Sequence, residues 1–219
     1  MPRSSPAAAP PRVAPRRRPA QSRAQFTVAA ILQATLALVA EGGEEALTTN
    51  RIAERAGVSI GTLYQYFPTR EAIVDTVAGR ARADVLEQLD ALLGRVGRGE
   101  LEPLAMLRTF IALYLRTFDG RGPGGPAFAR LIWRSDHVGS LVHSAREASE
   151  RIAQHLQRAA IPGLRDPTPA QAYVLTRSLM GTVRAAVLEG SPLLGSPAFE
   201  DELVRMCWAL LAAPAEAGG

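Results

Sequence analysis

An all-helical protein is what this sequence predicts, and three observations carry the prediction. Apolar residues make up 47% of the chain, and they recur at spacings of three and four, the period of a helix face, not in the alternation of a strand. Alanine and leucine dominate while aromatics are only 5%, and no continuous run of β-branched residues suits a strand. Serine, threonine, proline and glycine fall where helices should begin and end. At 219 residues the chain has room for one large or two small domains. About nine helices are expected.

The first stretch, 1–21, is rich in proline, alanine, serine and arginine. Such a composition buries too little to order itself, so a disordered basic arm is expected there. All 25 basic residues are arginine, with no lysine; a GC-rich coding genome explains this more simply than selection for guanidinium chemistry at every site. Residues 1–23 hold six of those arginines and none of the 21 acids, leaving 19 arginines against 21 acids beyond them. The formal charge of +4 therefore belongs to the arm, and the high isoelectric point is poor evidence of a basic surface on the folded body. Arg16, Arg17, Arg18 and Arg23 leave two readings open: a solvated tail, or an arm reaching phosphates or a minor groove.

The first helix is expected over 22–41. Val28, Ile31, Leu32, Thr35, Leu38 and Val39 form one stripe, and Gly42-Gly43 stops the helix. Residues 47–75 then read as two short helices joined by a tight turn, with a third behind a proline. Thr48 or Thr49 can cap the first of these. Ile52, Ala53 and Ala56 share its buried face, and Gly57 ends it in a left-handed conformation that suits a residue without Cβ. Val58 fills the corner and Ser59 caps the next helix, about two turns long. Leu63 and Phe67 must face inward there, which turns Gly61, Thr62, Gln65 and Tyr66 outward. So short and polar-faced a helix buries too little to be kept for packing alone. A helix–turn–helix presents its second helix to the DNA major groove.

This segment resembles the tetracycline-repressor-like (TetR) family of bacterial regulators. The resemblance is carried by Thr48, Ile52-Ala53, Ala56-Gly57-Val58-Ser59, Gly61-Thr62-Leu63-Tyr64, Tyr66-Phe67 and Glu71. It implies an N-terminal three-helix DNA-binding head over 22–80. A shared fourth helix joins that head to a helical ligand-binding and dimerisation body over 81–219.

The fourth helix should start after Pro68, with Thr69 as cap and Glu71 near the positive helix end. Its stripe Ile73, Val74, Val77, Ala81, Val85, Leu89 and Leu92 runs to about Leu93, after which Gly94, Gly97 and Gly99 are expected to break the chain. One helix thus belongs to both parts, a natural mechanical link. A fifth is expected over 102–118, a loop over 120–126, a short sixth over 127–135 and a seventh over 138–160. Thr168-Pro169-Ala170-Gln171 combines a cap, an N1 proline and a capping-box glutamine at the start of the eighth. Ser196-Pro197 starts the ninth, which ends before Pro214. Gly181, Ala185 and Ala186 among Leu179, Met180, Val183 and Val187 make a surface that another helix can approach closely.

No enzymatic constellation stands out. His137, His143 and His155 lie six and twelve apart, not at the i, i+4 spacing of a helical metal site. His143 precedes Glu147 by one turn, but two ligands do not make a site. Neither a metal nor another cofactor is expected, and the chain is not read as an enzyme. The single cysteine, Cys207, rules out an intrachain disulfide and reads as a small buried hydrophobe. No apolar run was expected to reach the roughly 18–20 residues of a membrane span. With arginine and proline where a secretory signal needs an apolar core, the chain reads as cytoplasmic.

For DNA contact, Gly61 allows close backbone approach and Thr62 offers a hydroxyl. Gln65 is the first choice for base reading, because its amide can pair with adenine; the bland alternative is a solvated side chain. Tyr64 and Tyr66 either donate to phosphate oxygens or pack in the core. Thr48 and Thr49 sit at a helix N-terminus, where amides and dipole favour an anion. Ser59 opens the reading helix, and the resemblance puts Arg70 where the family often sets a basic residue against the DNA backbone. Ile60 departs from the polar or basic residue common there; a thymine-methyl contact is one use for it.

The resemblance further implies a homodimer whose last two helices, here 171–189 and 197–212, form a four-helix bundle with their copies. Leu179, Val183, Leu203 and Leu210 are expected at that seam. Middle helices should enclose an effector pocket, with Met106, Phe110, Tyr114, Phe128, Trp133, His137, Tyr173 and Met180 as its candidates; for any one of them, ordinary core membership is the more common reading. The implied function is a repressor released from a double-stranded, inverted-repeat operator by a small-molecule effector. A ligand-independent regulator or activator is the alternative, and a small helical enzyme with a helix–turn–helix-like segment is a third.

Overall fold

The computed structural model describes residues 19–135, 138–159, 161 and 163–213. Among them are nine α-helices and one 3-10 turn, and no strand beyond an isolated antiparallel bridge between Leu164 and Ala212. The protein is all-α. The arginine-rich arm lies outside the described residues through position 18, as does His137.

Helix α1 (Pro19–Gly42) begins three residues before the expected position 22. Ile31, Val39 and the Thr35 hydroxyl-bearing side chain are fully buried, and Thr35 donates to the Ile31 carbonyl at 2.8 Å, which removes the cost of burying its hydroxyl. Contrary to the sequence expectation, the stretch Arg23–Gly42 is long and apolar enough to cross a membrane by length and composition. Its apolar face instead packs on other helices, with Ile31, Leu32, Leu38 and Val39 inside a common core.

A 3-10 turn at Glu44–Ala46 leads to α2 (Thr49–Ala56), α3 (Ile60–Tyr66) and α4 (Arg70–Gly97). The three caps are those the sequence names. Thr48, Ser59 and Thr69 side chains accept from the amides of Arg51, Thr62 and Ala72. Gly57 closes α2 at φ 69°, and its amide bonds back to Ala53 and Glu54. Helix α4 outruns the expected stop at Leu93 by a turn. Leu92, Leu93 and Val96 are buried on it, and their burial outweighs the cost of about 1 kcal/mol for an interior glycine at Gly94.

The body is built from α5 (Pro103–Phe118), α6 (Gly125–Ser135), α7 (Val138–Ala159), α8 (Pro169–Glu189) and α9 (Pro197–Leu211). The capping box of α8 is complete: the Gln171 amide donates to Thr168 Oγ1, and the Thr168 amide donates to Gln171 Oε1 at 2.9 Å. The segment before α8 is tied to the end of α9, where Arg165 donates to the Leu211 carbonyl and Ala213 to that of Gly163.

Two hydrophobic cores result. One joins α1, α2, α3 and the start of α4; the other joins the rest of α4 with α5, α7, α8 and α9. Helix α6 belongs to both. Phe128, Leu131 and Ile132 enter the head core, while Ala129 and Trp133 enter the body core. Gly124 permits this: a Cβ there would meet Phe128 at 2.7 Å and Leu36 at 3.1 Å. Arg134 adds an ion pair to Glu44 in the head. The link between head and body is therefore two helices, not α4 alone.

The expected dimer seam needs correction. Leu179, Val183 and Leu203 are buried inside the chain's own core, so they have no surface left for a second copy. Leu210 is half-buried against that core. On α8 the outward stripe is instead Val174, Ser178, Gly181, Ala185 and Leu188, and Ala186 is buried.

Candidate nucleic-acid interface and interior cavity

Helix α3 is held by two anchors and shows the rest of itself to solvent. Leu63 is 0% exposed and Phe67 6%, both set in the core shared with α1 and α2. Ile60, Gly61, Tyr64, Gln65 and Tyr66 are exposed and Thr62 is half-buried. Tyr64 is 50% exposed and Tyr66 37%, so the core-packing alternative for the tyrosines does not describe them. Tyr64 Oη lies 3.1 Å from Thr49 Oγ1, which ties the outer face of α3 to the first turn of α2. Ser59 Oγ lies 2.8 Å from Thr62 Oγ1 and also accepts the Thr62 amide, so both hydroxyls partly serve the cap.

The structure thus brings Thr48, Thr49, Ser59, Gly61, Thr62, Tyr64, Gln65 and Tyr66 onto α3 and the adjoining start of α2. Arg70 stands apart. Its guanidinium donates to Glu71 at 3.0 Å and lies 3.8 Å from Glu44, so acids already engage it. The Glu71 carboxyl is held below the usual range by its own backbone amide and then by Arg70. Sequence reasoning passed over Asn50 and Arg51, both exposed in the first turn of α2. Their position directly after the cap was the signal that could have found them. Arg55, also exposed, is engaged in a bidentate pair with Glu41, whose carboxyl it holds down.

The family model for bacterial regulatory proteins of the tetR family matches residues 31–77, the stretch that holds this face and its core. Over those residues the chain is similar to the TetR family of regulators. Among curated relatives, it is 33% identical over 122 residues to the HTH-type transcriptional repressor KstR of Mycolicibacterium smegmatis, covering 52% of this chain and 58% of that protein. The chain therefore spans little more than half the length of that relative. Among solved structures, SmeT, the repressor of the Stenotrophomonas maltophilia multidrug efflux pump SmeDEF, superposes with a TM-score of 0.64 at 20% identity, over 87% of this chain and 94% of that one. The transcriptional regulator FadR of Bacillus subtilis in complex with stearoyl-CoA does so with 0.59 at 15%, over 83% and 97%. At these identities the structures speak for the fold.

The body of the chain holds a cavity between α4, α5, α6, α7, α8 and α9. Met106, Phe110, Tyr114, Trp133 and Met180, five of the expected pocket residues, line it, together with Leu89, Phe118, Ile152, Leu175 and others. Two do not. Phe128 faces the head core instead, because it stands on the side of α6 turned toward α1. Tyr173 is 59% exposed, with the Arg177 guanidinium 4.4 Å from its ring centre. One wall is a run of rings, with centroid separations of 6.2 Å for Phe110–Tyr114, 4.9 Å for Tyr114–Phe118 and 5.6 Å for Phe118–Trp133. The Trp133 indole donates to the Phe118 carbonyl at 3.1 Å, which fixes that ring. Cys207 lines the cavity too, and burial pushes its thiol up to about 12. No group of three or more metal-ligating side chains occurs among the described residues.

Proposed function

We propose that this protein is a cytoplasmic transcriptional repressor that binds double-stranded DNA as a homodimer and is released by a small-molecule effector. The observation that carries the reading is α3: a seven-residue helix anchored by Leu63 and Phe67, with an amide and two phenols displayed to solvent. In the major groove, Gln65 reads a base edge, Gly61 admits close approach, and Tyr64 and Tyr66 donate to phosphates. The capped starts of α2 and α4 offer free amides to the flanking backbone.

Two copies related by a twofold axis would set their α3 helices about 34–36 Å apart or a multiple of it, on inverted half-sites. The corrected seam for that dimer is the outward stripe of α8 from Val174 to Leu188 with the neighbouring surface of α9. The KstR relatives are named repressors, which supports repression over activation. The FadR neighbour was solved with an acyl-CoA, which supports an occupied body. A ligand-independent regulator would be favoured by a fully packed body, and this body has a cavity.

Ligand release follows from the way α6 is shared between the two cores. A molecule pressing on Trp133 acts on the helix that carries Phe128 and Leu131 into the head. It shifts the balance only by binding one arrangement better than the other. The test is to select an operator from random DNA with the purified protein, then titrate compounds against the complex while following fluorescence anisotropy. Failure to enrich any inverted repeat would overturn the DNA-binding reading.

A further inference from the structure

A surface that binds DNA has to meet phosphate charge, and the folded head does not bring that charge itself. Residues 24–80 hold four arginines and six acids, a net −2, and residues 81–219 hold fifteen of each. Two of the head's four arginines already face carboxylates: Arg55 pairs with Glu41, and Arg70 with Glu71 and Glu44. Tyr64, Gln65, Tyr66 and the threonines at the start of α2 are neutral. Such groups orient a head on a duplex, but it is cations at phosphates that release counterions and supply affinity for any sequence. Resting on the DNA-binding reading above, we infer that residues 1–23 are a second DNA-binding element, an arm whose arginines take the phosphates flanking the site and supply the sequence-independent share of the affinity.

Arg3, Arg12, Arg16, Arg17, Arg18 and Arg23 stand in this stretch with no acid among them, and they turn a chain of net −2 into one of +4. Its attachment point suits the task. Helix α1 starts at Pro19, and among the described residues Val28 is its first side chain packed against the head core. Arg23, Gln25 and Phe26 before it are exposed, Phe26 at 73%. At about 1.5 Å per residue, the helix start stands about 13 Å beyond that first packing contact. The 18 residues before Pro19 can span at most about 60 Å, while a head of this size is about 25 Å across. The arm therefore reaches the DNA face from any exit. Anionic lipid offers phosphates too, but the helix that carries the arm shares a core with Leu63 of the reading helix, which favours a duplex.

The test compares the full chain with a full-length variant carrying Arg3→Gln, Arg12→Gln, Arg16→Gln, Arg17→Gln, Arg18→Gln and Arg23→Gln, and with a third in which the same six become lysine. Anisotropy is followed on the selected operator and on a random-sequence duplex of equal length, across a range of salt concentrations. Each arginine at a phosphate contributes about 0.9 to the slope of log affinity against log salt. In the glutamine variant that slope should shrink by at least about 1.8 per chain bound, the share of two arginines, and by up to about 5. Both duplexes should weaken by the same factor, and the lysine variant should behave as the parent, because charge is what the phosphates meet. A smaller change in slope would overturn the arm. A loss confined to the operator, or one that the lysine variant shares, would overturn its sequence-independent role. Arginine-dependent binding to phosphatidylserine vesicles stronger than to either duplex would overturn the assignment to DNA. If no operator is selected but the random duplex shows the arm's share of the slope, the repressor reading fails and the arm stands. If parent and glutamine variant bind the operator with one slope, the arm alone fails.

Discussion

Gln65 is exposed between two exposed tyrosines, and Leu63 beneath it fixes the rotation of the helix that carries it. An amide so placed can accept from and donate to adenine at once, and alanine can do neither. Gln65→Ala should weaken the selected operator by about 1–3 kcal/mol and relax the preference at one base pair of each half-site, read by anisotropy on a set of single-base variants. Phosphate contacts behave differently: Tyr66→Phe should weaken all sequences alike, without changing that preference. Deep in the body, Cys207 makes a separate prediction. Its thiol is raised from 9.0 to about 12 by burial, so the folded state holds the proton more tightly than the unfolded chain. The associated stability is complete below the ordinary thiol value and is lost progressively as pH rises from there toward the folded value. A thiol reagent at pH 8 should leave the native protein unmodified and label it fully once urea unfolds it; rapid labelling of the native state would place the sulfur at the surface.

At the scale of elements, each turn of the head rests on a residue whose backbone or cap allows it. Gly57 sits at φ 69° with nothing within 4 Å of where a Cβ would stand. Gly57→Ala therefore meets no clash, and its whole cost is backbone strain, about 1–2 kcal/mol, measurable as a lower urea midpoint with an unchanged slope. This head was largely readable in advance because its determinants are local. Thr48, Ser59 and Thr69 cap by contacts three residues away, and Leu63 and Phe67 fall on one face by the helical period. The body was less readable, and α8 shows why. Leu179 and Val183 have the apolar period of a buried stripe, but period alone does not say whether the burial is within one protomer or between two. Here it is within, and the outward stripe turned out to be the small residues Gly181 and Ala185. Phe128 went astray for a related reason: α6 is apolar on faces turned to two different cores, and its sequence does not say which aromatic serves which. The overrun of α4 past Gly94 came from Leu92, Leu93 and Val96, whose packing lies far away in sequence.

For the whole molecule, the repressor we propose requires two heads held at a fixed separation, and we propose the outward face of α8 as the surface that does this. Val174, Ser178, Gly181, Ala185 and Leu188 recur at intervals of three and four along it, so they line one side of the helix. Gly181 and Ala185 leave its middle low enough for a second helix to come close, and Val174 and Leu188 are exposed at 48% and 36%. Apolar side chains left this open in a lone protomer are best explained by a copy that covers them. Both small residues are exposed, so a large charged side chain at either is compatible with the protomer's fold. Gly181→Arg combined with Ala185→Arg would place like charges opposite each other across a twofold seam. Sedimentation of the variant should show a monomer at concentrations where the parent is a dimer, with the helical circular dichroism spectrum retained. Its affinity for a full inverted repeat should fall by about 10²–10⁴-fold, the loss expected when the second head is no longer held near its half-site. Its affinity for a single half-site should be nearly unchanged, since α3 packs in the other hydrophobic core. A variant that stays dimeric would place the seam elsewhere, and a parent that is monomeric yet binds the full repeat tightly would remove the need for one.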